Sequence, residues 1–438
     1  MTIQIKIDLP DEVEEILSKL KPWDAFAVGG CVRDSIMGRT PKDWDICTYV
    51  KPEQIIEIFQ DYKTILTGIK YGTVTVVINN QNFEVTTYRA DGEYSDGRHP
   101  DSVEFVNTLT ADLSRRDFTV NAMAYNDGWL TDLFGGYEDI HNKIIRCVGN
   151  PNDRFEEDAL RMMRAIRFSC NLDFTIEEQT QFAIFNNAYK IKNVSIERIR
   201  DEFDKILLHD GLRALLLSGL LDFFLQEFRE LVEVNQYNKY HRYTVMQHTL
   251  FVVKYVRNNL ILKLAALFHD FGKPSCKIVG EDGYDHFYGH PKVSAEMAET
   301  IMRRMKYDND TINKVVTLVA HHDIVPVESK KSVKRLLNKL GEEQFFNLLD
   351  LKIADIKAHS EESQYQLPIV STMRNIANNI LEEEECFTLK DLAINGNDLI
   401  ALGMKPDRMF GVILNDLLEM VINEELENTR EILLGFIQ

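Results

Sequence analysis

Asp43 and Asp45 flank Trp44, two residues apart. On an extended strand that spacing sends both carboxylates to one face. Two carboxylates on one face can hold divalent cations that grip an attacking hydroxyl and a leaving pyrophosphate. Just upstream, Gly29-Gly30 reads as a tight turn. There, backbone N–H groups can approach phosphates with no Cβ in the way. Arg33 is spaced to clamp a triphosphate, and Glu84 in a later β-rich segment is a candidate third carboxylate. The catalytic candidates are therefore Asp43, Asp45 and Glu84, with Mg²⁺ on Asp43 and Asp45.

Taken together, the run GGCVRDSIMGRTPKDWDI resembles the first motif of the class II nucleotidyltransferases, the bacterial CCA-adding enzymes and their poly(A) polymerase relatives. That resemblance implies a polymerase-β-like nucleotidyltransferase head. Tyr94, Asp96, Arg98, Pro100 and Val103 to Phe105 fit the family's flexible-loop region. Arg115-Arg116-Asp117-Phe118 with Asn121 resembles its second motif, which contacts ribose and triphosphate. Asp132, Gly135-Gly136 and Asp139 then lead out of the head. The implied nucleotide contacts so far are Gly29, Gly30, Arg33, Arg115, Asp117 and Asn121.

Arg154 to Phe168 reads RFEEDALRMMRAIRF. Helical spacing puts Glu157, Arg161, Arg164 and Phe168 near one face, and Asp158 beside Arg161 at i, i+3. Cytosine shows an amino donor at N4 beside an acceptor at N3, and adenine shows the same order at N6 and N1. Guanine and uracil show the reverse. A carboxylate accepting from the amino group, with an Arg donating to the ring nitrogen, therefore selects C and A. The family's E-D-x-x-R motif has this template role by resemblance. Here it is Glu157, Asp158 and Arg161, with Arg164 as a further nucleotide contact. Ser195 to Phe203 (SIERIRDEF) resembles the next motif, in which Glu197 and Arg198 are expected to brace the preceding helix turn rather than touch substrate.

A second chemistry begins near residue 240, with His241, His248, His269-Asp270, His290, His321-His322 and Asp355. His-Asp within the apolar stretch LAALFHDFG is costly to bury without a partner, and a metal ion suits that ligand pair. The ordered set resembles the HD phosphohydrolase superfamily and the C-terminal region of some bacterial CCA-adding enzymes. By that resemblance His248, His269, Asp270 and Asp355 are core ligands of a divalent metal of unspecified identity. His290, His321 and His322 are candidates for a second metal position or for phosphate binding. His241 is a supporting or substrate residue, and Lys273 a phosphate contact. The implied activities are phosphatase and 2′,3′-cyclic phosphodiesterase, acting on damaged tRNA 3′ ends. An idle HD scaffold is the alternative.

These residues need a scaffold. A short apolar run at Ala25 to Gly30, and β-rich segments at Gly72 to Ile78, Phe83 to Tyr88 and Trp129 to Phe134, predict strands. An amphipathic helix is expected after Pro10, and helical periodicity dominates beyond about residue 150. Ala214 to Leu225 reads as buried helix. The expected fold is α+β: a nucleotidyltransferase head at 1–145, a helical base-reading neck at 146–210, a helical HD-containing body at 211–360, and a helical tail at 361–438 that contacts tRNA.

Asn395 to Gly403 (NGNDLIALG) resembles the family's C-terminal module, but Lys405-Pro406-Asp407-Arg408 replaces its usual Pro-Gly. Candidate RNA phosphate contacts are Lys330, Lys331, Lys334, Arg335 and Lys339, plus Arg303, Arg304 and Lys306.

Composition bounds the reading. With 438 residues the chain is long enough for two to four domains. Its formal charge of −19 excludes a generally basic nucleic-acid coat, though not local basic patches. Six dispersed cysteines without a CxxC pair fit a reducing cytoplasm. No run of about 18 apolar residues predicts a membrane span. The expected partners are tRNA, ATP and CTP, with no membrane and no protein partner implied. The alternatives are an A-adding, CC-adding or poly(A) polymerase specialist, or an HD phosphohydrolase whose head only binds nucleotide.

Overall fold

The computed structural model describes residues 1–91, 103–238, 240 and 242–437. Tyr94, Asp96, Arg98, Pro100 and His241 lie outside the described residues. The chain divides into two compact units, Met1–Gln226 and Glu227–Gln438.

The first unit is built on strands β1 (Thr2–Gln4), β2 (Ala25–Val28), β3 (Asp45–Thr48), β4 (Lys63–Ile65), β5 (Thr73–Ile78), β6 (Gln81–Thr87), β7 (Arg89–Asp91), β8 (Val103–Phe105), β9 (Met123–Asn126) and β10 (Trp129–Asp132). Eight of them form one mixed sheet in the order β1-β10-β9-β2-β3-β6-β5-β4, and β7 pairs with β8. Only β3 and β6 run parallel in the large sheet, and their register sets Asp45 opposite Glu84. β5 alternates between half-buried and buried residues, as period-two patterning requires of a strand with one face on the core. The helices among and after these strands are α1 (Asp11–Lys19), α2 (Gly30–Ile36), α3 (Pro52–Ile58), α4 (Leu109–Ser114) and α5 (Gly136–Asn142).

Five helices and a strand pair follow: α6 (Pro151–Glu157), α7 (Leu160–Leu172), α8 (Glu178–Asn187), α9 (Ile196–Leu208), α10 (Leu212–Leu217) and the parallel pair of β11 (Ile144–Ile145) with β12 (Thr175–Ile176). The predicted continuous helix over 154–168 is interrupted. Asp158 takes an extended conformation (φ −147°, ψ 103°), ending α6, and α7 restarts two residues later. The expected helix over Ala214 to Leu225 also stops early. Gly219, at φ +76°, turns the chain out of α10.

The second unit is helical: α11 (Val245–Tyr255), α12 (Leu260–Phe268), α13 (Lys273–Cys276), α14 (His290–Arg304), α15 (Asn309–His321), α16 (Lys330–Leu340), α17 (Glu342–Ala358), α18 (Gln366–Glu382), α19 (Gly396–Ala401), α20 (Met409–Ile422) and α21 (Arg430–Ile437). One core joins α16, α17 and α18 through Val333, Leu337, Phe345, Leu349, Val370 and Met373. A small antiparallel hairpin, β13 (Ile278–Val279) with β14 (Asp285–His286), interrupts the helical pattern between α13 and α14, which periodicity had not indicated. Among the described residues no helix is long and apolar enough to cross a membrane. The α+β expectation, a mixed-sheet head followed by a largely helical remainder, holds.

Candidate active site

Asp45 opens β3, while Asp43 lies on the loop entering it rather than in the strand. Alternation still applies: Trp44 and Ile46 are buried, and Asp43 and Asp45 both face outward into a cleft of about 680 Å³. The Asp45 carboxyl is pushed up by desolvation and by the charges of Glu84 and Asp43, against the opposing pull of Arg116. Glu84 stands next to Asp45 in register but is not among the side chains lining the cleft.

Gly29 and Gly30 floor the cleft. Gly29 adopts φ +87°, and an added Cβ would lie 2.9 Å from Nη1 of Arg116. A side chain there would displace the guanidinium that balances Asp45. Arg33 is buried, donating to Asp34 from Nε (2.9 Å) and to Asn121 from Nη1 (2.5 Å). Arg115 and Arg116 are both anchored on Asp112, a fully buried carboxylate, at 2.8 and 3.3 Å. Asp112 was not among the expected site residues. Its i, i+3 and i, i+4 spacing to the two arginines is the signal that marks it.

Asp117 lines the cleft and anchors its neighbours. It accepts from Arg164 Nε and Nη2 at 2.8 and 2.6 Å, and from Asn121 at 3.2 Å. Burial alone would raise its carboxyl, but Arg164 outweighs burial and holds it at about 2. The Phe168 ring lies under the guanidinium groups of Arg33, Arg164 and Arg167, at 5.3, 5.4 and 4.2 Å.

The break at Asp158 corrects the expected pairing. Asp158 does not lie beside Arg161 on one helix. Its Oδ2 accepts from Arg198 Nη2 at 2.9 Å, and its Oδ1 accepts from the Leu160 amide, the first of α7, at 3.0 Å. Arg161 instead pairs with Glu157 at 2.6 Å and donates to the Arg115 carbonyl at 2.9 Å. Arg198, read from sequence as a helix brace, lines the cleft with Asp158, Arg161 and Arg164. Eight arginines and four aspartates line this cleft, a locally basic site in an acidic chain.

In the second unit, α11, α12, α14, α15 and α17 bring six of the predicted residues into one buried cluster. Nε2 of His248 is 3.1 Å from Asp355 Oδ1, and Nε2 of His269 is 3.2 Å from Asp270 Oδ2. The other Asp270 oxygen faces His290 at 3.4 Å and His322 at 3.7 Å. His269, His290 and His322 each direct Nδ1 at a backbone carbonyl three residues earlier (2.8, 2.8 and 2.7 Å). A carbonyl only accepts, so Nδ1 carries the proton and Nε2 presents a lone pair to the cluster. Nε2 of His269 and both Asp270 oxygens have no partner in hydrogen-bond geometry. His290 and His322 set their Nε2 atoms 3.1 Å apart, a repulsive approach unless a cation shares them. This donor set fits metal ions.

His359 belongs to the cluster and was missed. Its Nε2 is 3.3 Å from Asp355, and its ring stacks on His248 at 4.9 Å. Burial pushes it down to about 3, leaving it neutral. The i, i+4 spacing from Asp355 was its signal. His321, by contrast, is not in the cluster; its Nδ1 donates to the Thr317 carbonyl. Lys273 sits 2.8 Å from Asp270 and donates to Gln236 at 2.6 Å.

Several expected RNA contacts are tied up within the unit. Lys334 is buried against Glu385 at 2.8 Å, Lys330 pairs with the same carboxylate, and Arg335 pairs with Glu419 at 3.2 Å.

Comparison with known proteins agrees with this geometry. Residues 25–146 match the "Poly A polymerase head domain" family, residues 173–231 the "RNA and SrmB-binding site of polymerase A" family, and residues 285–437 the "tRNA nucleotidyltransferase domain 2" family. A CCA-adding enzyme of Lactobacillus helveticus is 34% identical over 438 residues, covering 97% of both chains. One from Enterococcus faecalis is 33% identical, covering 98% of this chain and 96% of its own. The crystal structure of the Bacillus stearothermophilus CCA-adding enzyme in complex with CTP superposes with a TM-score of 0.74 at 29% identity, over 97% and 96% of the two chains.

Proposed function

The chain belongs to the CCA-adding enzymes and is a nucleotidyltransferase; from that premise we propose that it adds C, C and A in turn to the tRNA 3′ end, from CTP and ATP and without a nucleic-acid template. The observation that carries this reading is one cleft in which the Asp43–Asp45 pair faces Asp158, Arg161 and Arg198. Asp43 and Asp45 would hold Mg²⁺, with Glu84 adjacent, and the raised Asp45 carboxyl, crowded by like charge, fits a divalent cation. Mg²⁺ bound there would activate the 3′-hydroxyl and offset triphosphate charge.

The terminal tRNA hydroxyl attacks the α-phosphorus, the bond to the β-phosphate oxygen breaks, and pyrophosphate leaves. Arg33, Arg115 and Arg116, pinned by buried acids and Asn121, offer preoriented donors to the triphosphate. A carboxylate has about four lone-pair positions. On Asp158, Leu160 N–H and the two Arg198 N–H groups occupy three. The fourth is left for the amino group of C or A. Arg161, oriented by Glu157 and the Arg115 carbonyl, donates to the ring nitrogen. Such tRNA work belongs in the cytoplasm.

Product length tests this. Labelled CTP and ATP with tRNA lacking CCA should give three added nucleotides and then arrest. Addition of A alone, of CC alone, or of long A-tails replaces the reading with a specialist of the same family.

A second activity is favoured by the buried histidine–aspartate cluster. His248, His269, Asp270 and Asp355 would hold one divalent cation, and His290 and His322 a second sharing Asp270. Such ions supply an activated water for phosphoester hydrolysis, here of 2′,3′-cyclic and monoester ends of tRNA. Cyclic-phosphate cleavage that survives His269→Ala/Asp270→Asn removes the cluster from that role.

A further inference from the structure

The hairpin of β13 and β14 ends beside the cluster. We propose that His286 and Tyr288 form a stacking platform for the nucleobase of a nucleotide or RNA 3′ end whose phosphate lies at the histidine–aspartate cluster. This rests on the phosphohydrolase reading of that cluster and names the part of the substrate that the cluster itself cannot recognise.

A cavity of about 290 Å³ is lined at once by Asp270, His290 and Asp355 and by His286 and Tyr288. Tyr288 is 73% exposed, so its ring is open to a ligand entering this cavity. Its ring lies parallel to that of His286, with centroids 5.3 Å apart and planes at 7°. The pair is held in place before any ligand arrives. Asp282 holds Nε2 of His286 at 3.1 Å, and the Tyr288 hydroxyl lies 3.3 Å from its Nδ1. Asp285 roots the hairpin by pairing with Lys277 at 2.9 Å and accepting from the Tyr237 amide at 2.7 Å. The Phe287 carbonyl, between the two rings in sequence, accepts from Nδ1 of His290 at 2.8 Å. The segment that aims a metal-ligating histidine therefore also presents the aromatic face.

The chemistry selects the occupant. An exposed, preordered ring stack with a polar edge suits a planar heteroaromatic group better than an aliphatic chain. Lys273, on the wall of the same cavity, adds positive charge for an anion. A flat base linked through a sugar to a phosphate satisfies both ends of the cavity. Because every base has a π-face, the platform tolerates any base.

Tyr288→Ala and Tyr288→Phe test this with adenosine 3′-monophosphate and the base-free monoester glycerol 2-phosphate. Tyr288→Ala should raise KM for the nucleotide about tenfold, with kcat within about twofold and glycerol 2-phosphate kinetics unchanged. Tyr288→Phe should restore the nucleotide KM. Equal effects on the two substrates, or none on either, overturn the platform while leaving the hydrolytic reading intact. If the wild-type protein hydrolyses neither, the hydrolytic reading fails and calorimetric titration with adenosine 3′-monophosphate decides the platform. A binding component lost in Tyr288→Ala and kept in Tyr288→Phe upholds it, and identical titrations overturn it.

Discussion

Asp117 shows how a buried carboxylate fixes the side chains around it, accepting from Arg164 and Asn121. Its carboxylate is held ionised at about 2 by Arg164, where an unfolded chain would titrate near 3.8. A depressed carboxyl contributes stability that is fully present above the unfolded value and lost as pH falls through the folded one. Asp117→Asn should therefore cost about 2 kcal/mol at pH 7, and the gap to wild type should close between about pH 4 and pH 2. Urea unfolding across that range checks it; a gap that persists at pH 2 contradicts it. Arg198 is the second residue-scale case. If it fixes the Asp158 carboxylate for base reading, Arg198→Ala should lower the preference for CTP and ATP over UTP and GTP about tenfold. Kinetics with the four nucleotides decide it, and Arg198→Lys should recover only part of the loss, since a single ammonium cannot repeat the two-pronged contact. Asp43 and Asp45 were readable because a two-residue period needs nothing beyond an extended chain. The Asp158–Arg198 pair was not, because 40 residues separate its members.

At the scale of elements, close approach decides the second site. Gly272 follows the His-Asp pair, and an added Cβ would lie 2.8 Å from the His290 carbonyl oxygen and 2.8 Å from the Ser294 amide. Those atoms belong to the first turns of α14, so neither can yield as a flexible side chain would. Gly272→Ala should push α14 away from Asp270, cost roughly 1–3 kcal/mol and weaken divalent-ion binding at the cluster, with nucleotide addition unchanged. Calorimetric Mn²⁺ titration together with thermal unfolding reads both effects, and wild-type Mn²⁺ affinity in the variant refutes the argument. Helical periodicity could announce α7 and α9 but not the extended residue between α6 and α7. Asp158 breaks the helix because its carboxylate takes the Leu160 amide and meets Arg198, a choice made by side-chain contacts over local propensity.

For the whole molecule, the arginine-lined cleft and the buried histidine–aspartate cluster lie in two separately packed units of one chain. Asp43→Ala should abolish nucleotide addition and leave phosphoester hydrolysis intact, and Asp270→Asn should do the reverse. Assays of both activities on both variants test the division; joint loss in either variant would mean the activities share a centre. The net charge of −19 hides the electrostatics that matter, because the head's cleft gathers eight arginines against four aspartates.

Residue types and short spacings sufficed for the α+β class, the Asp43–Asp45 pair, the arginine motif and most of the histidine series. The class and the aspartate pair depend on strand and helix repeats; the arginine motif and the histidine series, spread from His248 to Asp355, were legible through their resemblance to known families. Folding alone decided that Asp112 anchors two arginines, that Asp158 answers to Arg198, that His359 joins the cluster while His321 turns away, and that Lys334 is spent inside the unit. Those outcomes depend on which buried charge finds which partner. A buried charge accepts any partner that the packing of distant helices brings within reach, and local sequence does not encode that packing.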